Sequence, residues 1–350
     1  MKYSGIGGQA VIEGVMMKGS SQYAVSVRKP DGEIEVKVEN YKSLKERYAI
    51  ANVPVIRGIF AFAESLKMGM GTLNYSASFW EEEEKENSKE KQNTNDILMG
   101  LMLVIAIVLA IGLFVLLPFF ISEQLSRIIP SIQLRGLIEG VIRVAIFVAY
   151  VKAISLMEDI RRVFMYHGAE HKCINCIENG LELTVENAKK QTMVHKRCGT
   201  SFMLVVMLVS ILLFMFISAP NIWIRMVLRV LLIPIIAGVS YEFISLAGKS
   251  ENSLVNVLSK PGLWLQSLTT KEPEDDMLEV AIRSVEAVFD WQDFLAHYEE
   301  KESKEETHTE EFEVVDVEDE NDEILQALDR YFEDVSVEEK EQMTEAEMSE

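Results

Sequence analysis

The segment YHGAEHKCINC concentrates side chains that bind metals or carry protons. Within it, His167, Glu170 and His171 form an H-x-x-E-H pattern. A helix turns by about 100° per residue, so these three side chains project from one face. Two imidazoles on that face can hold a metal ion, and the carboxylate can take a proton from water, as in the inverted zincin hydrolases. Such a site needs a third protein ligand, for which His195 and Cys198 are candidates.

The cysteines allow a second arrangement that overlaps the first. The spacing C-x2-C-x18-H-x2-C is close to that of a structural zinc site with three thiolates and one imidazole. Its members are Cys173, Cys176, His195 and Cys198. On a continuous helix, Cys173 and Cys176 project away from the face of the two histidines. One helix therefore cannot direct all these groups at one ion. A catalytic site, a structural site and metal-free buried thiols all remain open from the spacing alone.

Long apolar segments surround these residues. Residues 97–121 and 202–218 contain no charged side chain. Two further apolar segments, 134–157 and 222–248, contain several charges. Because a helix needs about 20 residues to cross the hydrocarbon core of a bilayer, the four segments predict four transmembrane helices. The expected fold class is a predominantly α-helical polytopic membrane protein.

The connection between the second and third predicted spans, residues 158–200, determines the expected orientation. It contains seven lysines and arginines, whereas the connections on the other face are short and hold few. This excess predicts that the loop and both termini lie in the cytoplasm. Thiols are reduced there, so we expect the cysteines to be ligands or inert thiols rather than disulfides. The first 90 residues show no secretory signal pattern.

Charged residues inside the predicted spans have two interpretations. Glu139 and Arg143 are four residues apart and can pair on one helical face, which lowers the cost of burying them in lipid. Such a pair is either a functional site or a structural contact between helices. Arg225 and Arg229 lie near the start of the fourth span, and we expect their guanidinium groups to extend to the membrane surface.

The region before the membrane domain contains a predicted sheet and an interfacial helix. Residues 1–80 form a small cytoplasmic or interfacial region, with a β-hairpin expected around Pro30-Asp31-Gly32. The glycine-rich segment GGQAVIEGVMM can run close to another backbone, since glycine has no side chain. Residues 52–80 suit a helix at the membrane surface. Residues 81–96 form a charged linker to the membrane domain, 97–248.

The region after the membrane domain divides into two parts. Residues 249–298 form a cytoplasmic helical extension, and residues 299–350 form an acidic tail that we expect to be disordered. The last fifty residues hold 21 acidic and 4 basic side chains. This charge excludes nucleic-acid binding by the tail. The expected partners are the lipid bilayer, because of the apolar segments, and proteins that the N-terminal region and the tail recruit. In the extension, an acidic turn after Pro273 precedes an apolar helical stripe: Met277, Val280, Ala281 and Val285.

Five motifs resemble those of one bacterial family. GGQAVIEGVMM, YHGAEHK, HKRCGTSF, LIPIIAGVSYEFISLAG and PGLWLQSLTT are similar to segments of the YqhQ-like membrane proteins, the domain-of-unknown-function family 1385. The resemblance extends from about Gly7 to Ala287. It implies a metal-dependent enzyme of the bacterial inner membrane. It also supports one set of site residues: His167, Glu170, His171, Cys176, His195 and Cys198.

The same resemblance changes the weight of the cysteines. Cys173 stands where we expect threonine or another small residue in relatives, so the resemblance disfavours the C-x-x-C interpretation. The structural alternative then takes the form of a site built from His171, Cys176, His195 and Cys198.

Two functions follow from these expectations. The first is a metal-dependent membrane hydrolase that acts at the cytoplasmic face. Its divalent ion, zinc, is held by His167, His171 and either His195 or Cys198, and Glu170 is its general base. The second is a non-enzymatic scaffold or assembly factor for membrane proteins, in which the 158–200 loop is a rigid structural element with or without zinc.

Overall fold

The computed structural model describes six stretches of the chain: residues 3–44, 48–80, 89–195, 198–217, 221–247 and 253–297. The predicted acidic tail and the first half of the predicted linker lie outside them. The described residues form a mostly helical protein with one four-stranded antiparallel sheet near the N-terminus. The predicted fold class is therefore confirmed in its coarse form.

The sheet consists of two consecutive hairpins. The predicted hairpin is confirmed: Gly32 lies in its turn with a left-handed backbone (φ 88°). The other hairpin lies in GGQAVIEGVMM, for which we predicted a close approach to another backbone but assigned no secondary structure; glycine is depleted in strands. A Cβ at Gly14 would lie 2.2 Å from the Ser26 carbonyl oxygen, so the expected close backbone approach is confirmed. The strands pair in chain order: β1 (Gly7–Val11), β2 (Gly14–Lys18), β3 (Gln22–Arg28) and β4 (Ile34–Asn40).

The α-helices of the described residues include helices in all four predicted apolar segments and in residues 158–200. A π-helical turn, Gly112–Leu116, joins the second helix to the third. In chain order they are α1 (Ile56–Ala77), α2 (Lys89–Ile111), α3 (Leu117–Gln124), α4 (Ile132–Ile154), α5 (Glu158–Glu178), α6 (Val185–Lys189), α7 (Gly199–Met215), α8 (Ile222–Leu231), α9 (Ile233–Ala247), α10 (Ser253–Thr269) and α11 (Asp275–Glu286).

One helix within the described residues, Gly100–Arg127, is long and apolar enough to cross a membrane. Two helix pairs also qualify if each is counted as one bent span. The first pair, α4 and α5, bends by 102°, and the second, α8 and α9, bends by 44°. Pro234 lies at the second bend and lacks the N–H that a continuous helix needs. The helix α7 is apolar but only 17 residues long. All four predicted segments are thus helical, with one to three candidate spans.

The sheet, α5 and α11 bury a common core. Strand β2 is covered on both faces: Val15 and Met17 pack with residues of α5 and α11, whereas Met16 packs on the side of α1. The hydroxyl of Ser284 in α11 donates hydrogen bonds toward the Val15 carbonyl (3.0 Å) and the Ala24 carbonyl (3.1 Å). Segments distant in sequence therefore fold together around α5, the helix that contains the YHGAEHK motif.

The predicted apolar stripe of the C-terminal extension is confirmed. Asp275 and Asp276 occupy the first turn of α11, where acidic side chains interact favourably with the helix dipole. All four predicted stripe residues are fully buried against the sheet and α5: Met277, Val280, Ala281 and Val285.

The substitution Met277→Ala tests this common core. Met277 is 0% exposed, so its truncation should reduce the free energy of unfolding by about 2–5 kcal/mol. The matched control is Met102→Ala, because Met102 is 62% exposed. Thermal unfolding of the purified protein in detergent measures both changes. Equal shifts in the two variants would contradict the packing of α11 under the sheet.

Candidate metal centre

Helix α5 and the start of α7 bring two histidines and one cysteine together. His167 and His171 are one turn apart in α5, with ring centroids separated by 4.4 Å. Cys198 is the N-cap residue of α7, where its sulfur accepts from the Thr200 N–H. The ligand atoms of His167, His171 and Cys198 all lie within 4.8 Å of one another, and His167 Nε2 is 3.1 Å from Cys198 Sγ. In tetrahedral zinc sites, bonds of about 2.0–2.3 Å place such atoms at similar separations.

Backbone carbonyls orient both imidazoles. His167 Nδ1 lies 2.9 Å from the Thr269 carbonyl oxygen, and His171 Nδ1 lies 2.6 Å from that of Met193. A carbonyl only accepts, so each Nδ1 carries a proton and each Nε2 points toward the cluster. His171 Nε2 is buried and has no hydrogen-bond partner among the described residues. Such a nitrogen is unfavourable unless it binds another group, and this kind of carbonyl contact is typical of metal-binding histidines.

The electrostatics of the site favour a thiolate. Burial alone raises the pKa of the Cys198 thiol, but the hydrogen bond from His167 and the neighbouring His171 outweigh burial and hold that pKa well below its usual value. Burial alone lowers the pKa of His167, but interaction with the Cys198 sulfur raises it to about 9. These opposite shifts favour a thiolate–imidazolium pair in the metal-free site, and a metal ion can replace the shared proton.

Glu170 lies beside the three ligand atoms, and strand β1 packs against its side chain. The side chain is 5% exposed, and burial raises its pKa, although the charges of His171 and His167 partly offset the effect. No hydrogen bond found within the described ranges ends on its carboxylate. A Cβ at Gly8 would lie 2.6 Å from the Met16 carbonyl oxygen and 3.0 Å from the Glu170 carboxyl carbon. The glycine-rich motif thus makes room for the buried carboxylate.

His195 lies next to the group but has a different ring partner. Its ring centroid is 5.6 Å from that of His171, and its Nε2 is 3.6 Å from Glu178 Oε2. Glu178 also accepts hydrogen bonds from the backbone N–H (3.0 Å) and the hydroxyl (2.7 Å) of Ser4. The buried side-chain amide of Gln266 accepts from the His195 N–H (2.8 Å) and donates to the His195 carbonyl (3.0 Å). His195 is therefore fixed beside the three ligand atoms without joining them.

The structure separates the C-x-x-C pair from the three ligand atoms. Cys173 and Cys176 are fully buried in the apolar core between α5 and its neighbours. The Cys176 sulfur lies 3.3 Å from the Glu182 carbonyl oxygen. Burial raises the pKa of Cys176 to about 11 and raises that of Cys173 further above its usual value. Both side chains are thus neutral thiols, and Cys176 is not brought into the histidine group.

Several positioning residues were not identified from the sequence. Lys172 Nζ donates to the Lys189 carbonyl (2.7 Å), and Asn175 Nδ2 donates to the Thr192 (2.7 Å) and Val194 (3.0 Å) carbonyls. These bonds hold the segment that leads to His195 and Cys198. The sequence signal that could have identified Lys172 and Asn175 was their helical spacing from the motif histidines. For Gln266, that signal was its position in PGLWLQSLTT.

A glycine and an ion pair position α5 itself. A Cβ at Gly168 would lie 2.1 Å from the Lys271 carbonyl oxygen, so this motif position admits no side chain. Glu13, in the β1–β2 turn with φ 50°, binds the Arg162 guanidinium and accepts from the Tyr166 hydroxyl (3.2 Å). The first hairpin is thereby attached to the start of the motif helix.

The pH dependence of the metal-free site tests the thiolate. The depressed pKa of Cys198 means that its stabilising effect is lost as the pH falls through that value. The raised pKa of His167 means that its effect is lost as the pH rises through about 9. We expect thiolate ultraviolet absorbance at neutral pH that disappears on acidification. It should be absent in Cys198→Ser and unchanged in the control Cys173→Ser. Absorbance that titrates near the ordinary thiol pKa of about 8.5 would contradict this assignment.

Comparisons with known proteins agree with the motifs. A family described as "Protein of unknown function (DUF1385)" matches residues 53–291. The "Uncharacterized protein YqhQ" of Bacillus subtilis (strain 168) is 37% identical over 287 residues, which cover 79% of this chain and 90% of that protein. No solved structure matches the chain significantly. The resemblance expected from the sequence is confirmed, and the chain belongs to the DUF1385 family.

Proposed function

We propose that this protein is a metal-dependent membrane hydrolase whose ion is held by His167, His171 and Cys198. The observation that supports this most is the convergence of their ligand atoms within 4.8 Å. Imidazole nitrogen and thiolate sulfur are ligands that zinc prefers. Catalytic zinc sites typically use three protein ligands and keep one position for water or substrate, whereas structural sites use four.

Glu170 is the proposed general base. A bound zinc ion would supply Lewis acidity and lower the pKa of a water molecule. The buried Glu170 carboxylate lies close enough to His167 and His171 to interact with their charges. Its raised pKa moves it toward the range in which a carboxyl group both accepts and returns a proton near neutral pH. His195 and Glu178 act in this proposal as a supporting pair rather than as ligand and base.

The proposed membrane arrangement has four spans: α2 with α3, α4, α7, and α8 with α9. The basic residues of the 158–200 loop support a cytoplasmic position for that loop and both termini. Cys198 lies at the N-terminus of α7, so the ion would be held at the cytoplasmic end of the third span. The sheet, α5, α6 and α11 would form a cytoplasmic layer. The substrate class that fits this location is an amphiphilic or membrane-anchored molecule.

One observation favours a non-enzymatic alternative. The segment from Lys189 to His195 is held by bonds from Lys172, Asn175 and Gln266, none of which involves a metal. A loop held so firmly would also serve as a rigid platform for membrane-protein assembly. In that case the ion, if bound, would only stabilise the loop.

Zinc affinity tests the ligand set. His171→Ala and Cys198→Ser each remove one proposed ligand, so zinc affinity should fall by about a hundredfold or more. Cys176→Ser is the matched control, because this thiol lies outside the group, and it should leave the affinity unchanged. Competition with a chromophoric chelator measures all variants. Equal losses in Cys176→Ser and Cys198→Ser would overturn the ligand set.

Cobalt spectroscopy separates the enzyme from the structural alternative. In the cobalt-substituted protein, added acetohydroxamate should change the visible spectrum, because a catalytic site keeps an exchangeable position. A spectrum that does not respond would favour the structural site. Glu170→Gln should keep the cobalt spectrum, since Glu170 is not a ligand, but should change its pH dependence. An unchanged pH dependence would argue against Glu170 as the base.

A further inference from the structure

The helices α3, α4 and α8 bury a second group of charged side chains. Glu139 is 2% exposed, and Arg143 and Arg229 are each 4% exposed. The Glu139 carboxylate accepts from Arg143 Nη2 (2.8 Å), Arg229 Nε (3.1 Å) and Arg229 Nη2 (2.7 Å). The predicted pair of Glu139 and Arg143 is therefore confirmed. The expectation that Arg229 extends to the membrane surface was wrong, because this carboxylate holds it inside.

A neighbouring carboxylate binds two more arginines. Glu123 accepts from both terminal nitrogens of Arg225, each at 2.9 Å, and lies 3.3 Å from Arg135 Nη1. The two groups together contain four guanidinium cations and two carboxylates, so they carry an excess of two positive charges. An uncompensated charge in an apolar region is strongly unfavourable. A bound anion would compensate this excess positive charge.

The arginines that carry unused donors line a cleft. Nη1 of Arg229 is buried and has no hydrogen-bond partner among the described residues, and the same holds for Nε of Arg135 and Arg225. The guanidinium carbon of Arg229 lies 4.4 Å from the centroid of the Phe119 ring. This cation–π contact fixes the plane of the guanidinium group. All three arginines line a narrow cleft that is partly open to the surroundings.

We propose that this cleft binds a phosphate-type anion, carried either by a lipid headgroup or by a free phosphate. Guanidinium groups match the geometry of phosphate oxygens and donate charge-assisted hydrogen bonds to them. The apolar walls, Phe119, Ile132 and Ile217, suit the first carbons of a lipid.

This site is separate from the candidate metal centre. Cys198 lies at one end of α7 and Phe214, which lines the cleft, lies near the other. At 1.5 Å per residue, the two positions are about 24 Å apart along the helix axis. Anion binding therefore tests a property that does not depend on the proposed hydrolysis.

The matched variants Arg229→Lys and Arg143→Lys test the proposal. Both replace a buried arginine that binds Glu139, and both keep the charge. Only Arg229 lines the cleft and has an unused nitrogen. Arg229→Lys should therefore weaken anion binding about tenfold, whereas Arg143→Lys should bind as the unchanged protein does.

The measurement uses full-length protein in detergent, titrated with inorganic phosphate and with short-chain phosphatidylglycerol at constant ionic strength. Binding of both probes would identify the phosphate group as sufficient. Binding of only phosphatidylglycerol would identify a lipid, and binding of only phosphate a soluble anion. Binding of neither, or equal affinity in the unchanged protein and Arg229→Lys, or equal loss in the two lysine variants, would overturn the proposal.

A second variant covers the case in which Arg229→Lys does not fold. The Arg225 side chain is 15% exposed, so Arg225→Gln disturbs the interior less. It removes one of the two excess positive charges and should also weaken binding of whichever probe is bound. Unchanged affinity in Arg225→Gln would contradict an anion site in this cleft.

Discussion

The rest of the site depends on the way α5 satisfies the backbone carbonyls of the segment before α7. Buried carbonyls require donors, and this segment has no strand or helix partner to supply them. His171, Lys172 and Asn175 supply them from consecutive turns of α5. The same contact that pairs the carbonyl of Met193 also fixes the tautomer of His171. One hydrogen bond therefore determines both the conformation of the segment before α7 and the orientation of the His171 ring.

This double role explains why the hydrolase and the scaffold are hard to separate by geometry. The C-terminal half of α5 is polar but buried, so it needs the sheet, α6, α10 and α11 around it, whatever its chemistry. Three local features distinguish them: His171 Nε2 has no hydrogen-bond partner among the described residues, the pKa of the Cys198 thiol is depressed, and burial raises the pKa of the Glu170 carboxyl group. A merely structural loop has no need of these three features, since each is unfavourable by itself. These features therefore support the proposed hydrolase over a metal-free scaffold.

The sequence predicted the helices and the histidine face well, because hydropathy and helical periodicity are local properties. His167, Glu170 and His171 share a face as their spacing requires. The choice of Cys198 over Cys176 was not predictable from spacing. It depends on where the segment from 189 to 195 runs, which long-range hydrogen bonds to α5 and Gln266 decide. The β1–β2 hairpin was missed because glycine hides strand patterns. The burial of Arg229 was missed because its partner, Glu139, lies 90 residues away.

The contact between Ser284 and β2 has a consequence for the order in which this protein matures. Strand β2 is among the first described parts to leave the ribosome, but one of its faces packs on α5 and α11, and α11 is among the last to be made. Gln266 and Thr269, which hold His195 and His167, are also synthesised after every predicted span. If the predicted spans insert as they are synthesised, the proposed metal ligands reach their final positions only after insertion. Until α11 is made, this face of β2 lacks part of its cover, and exposed apolar surface of this kind makes an incomplete chain prone to aggregation.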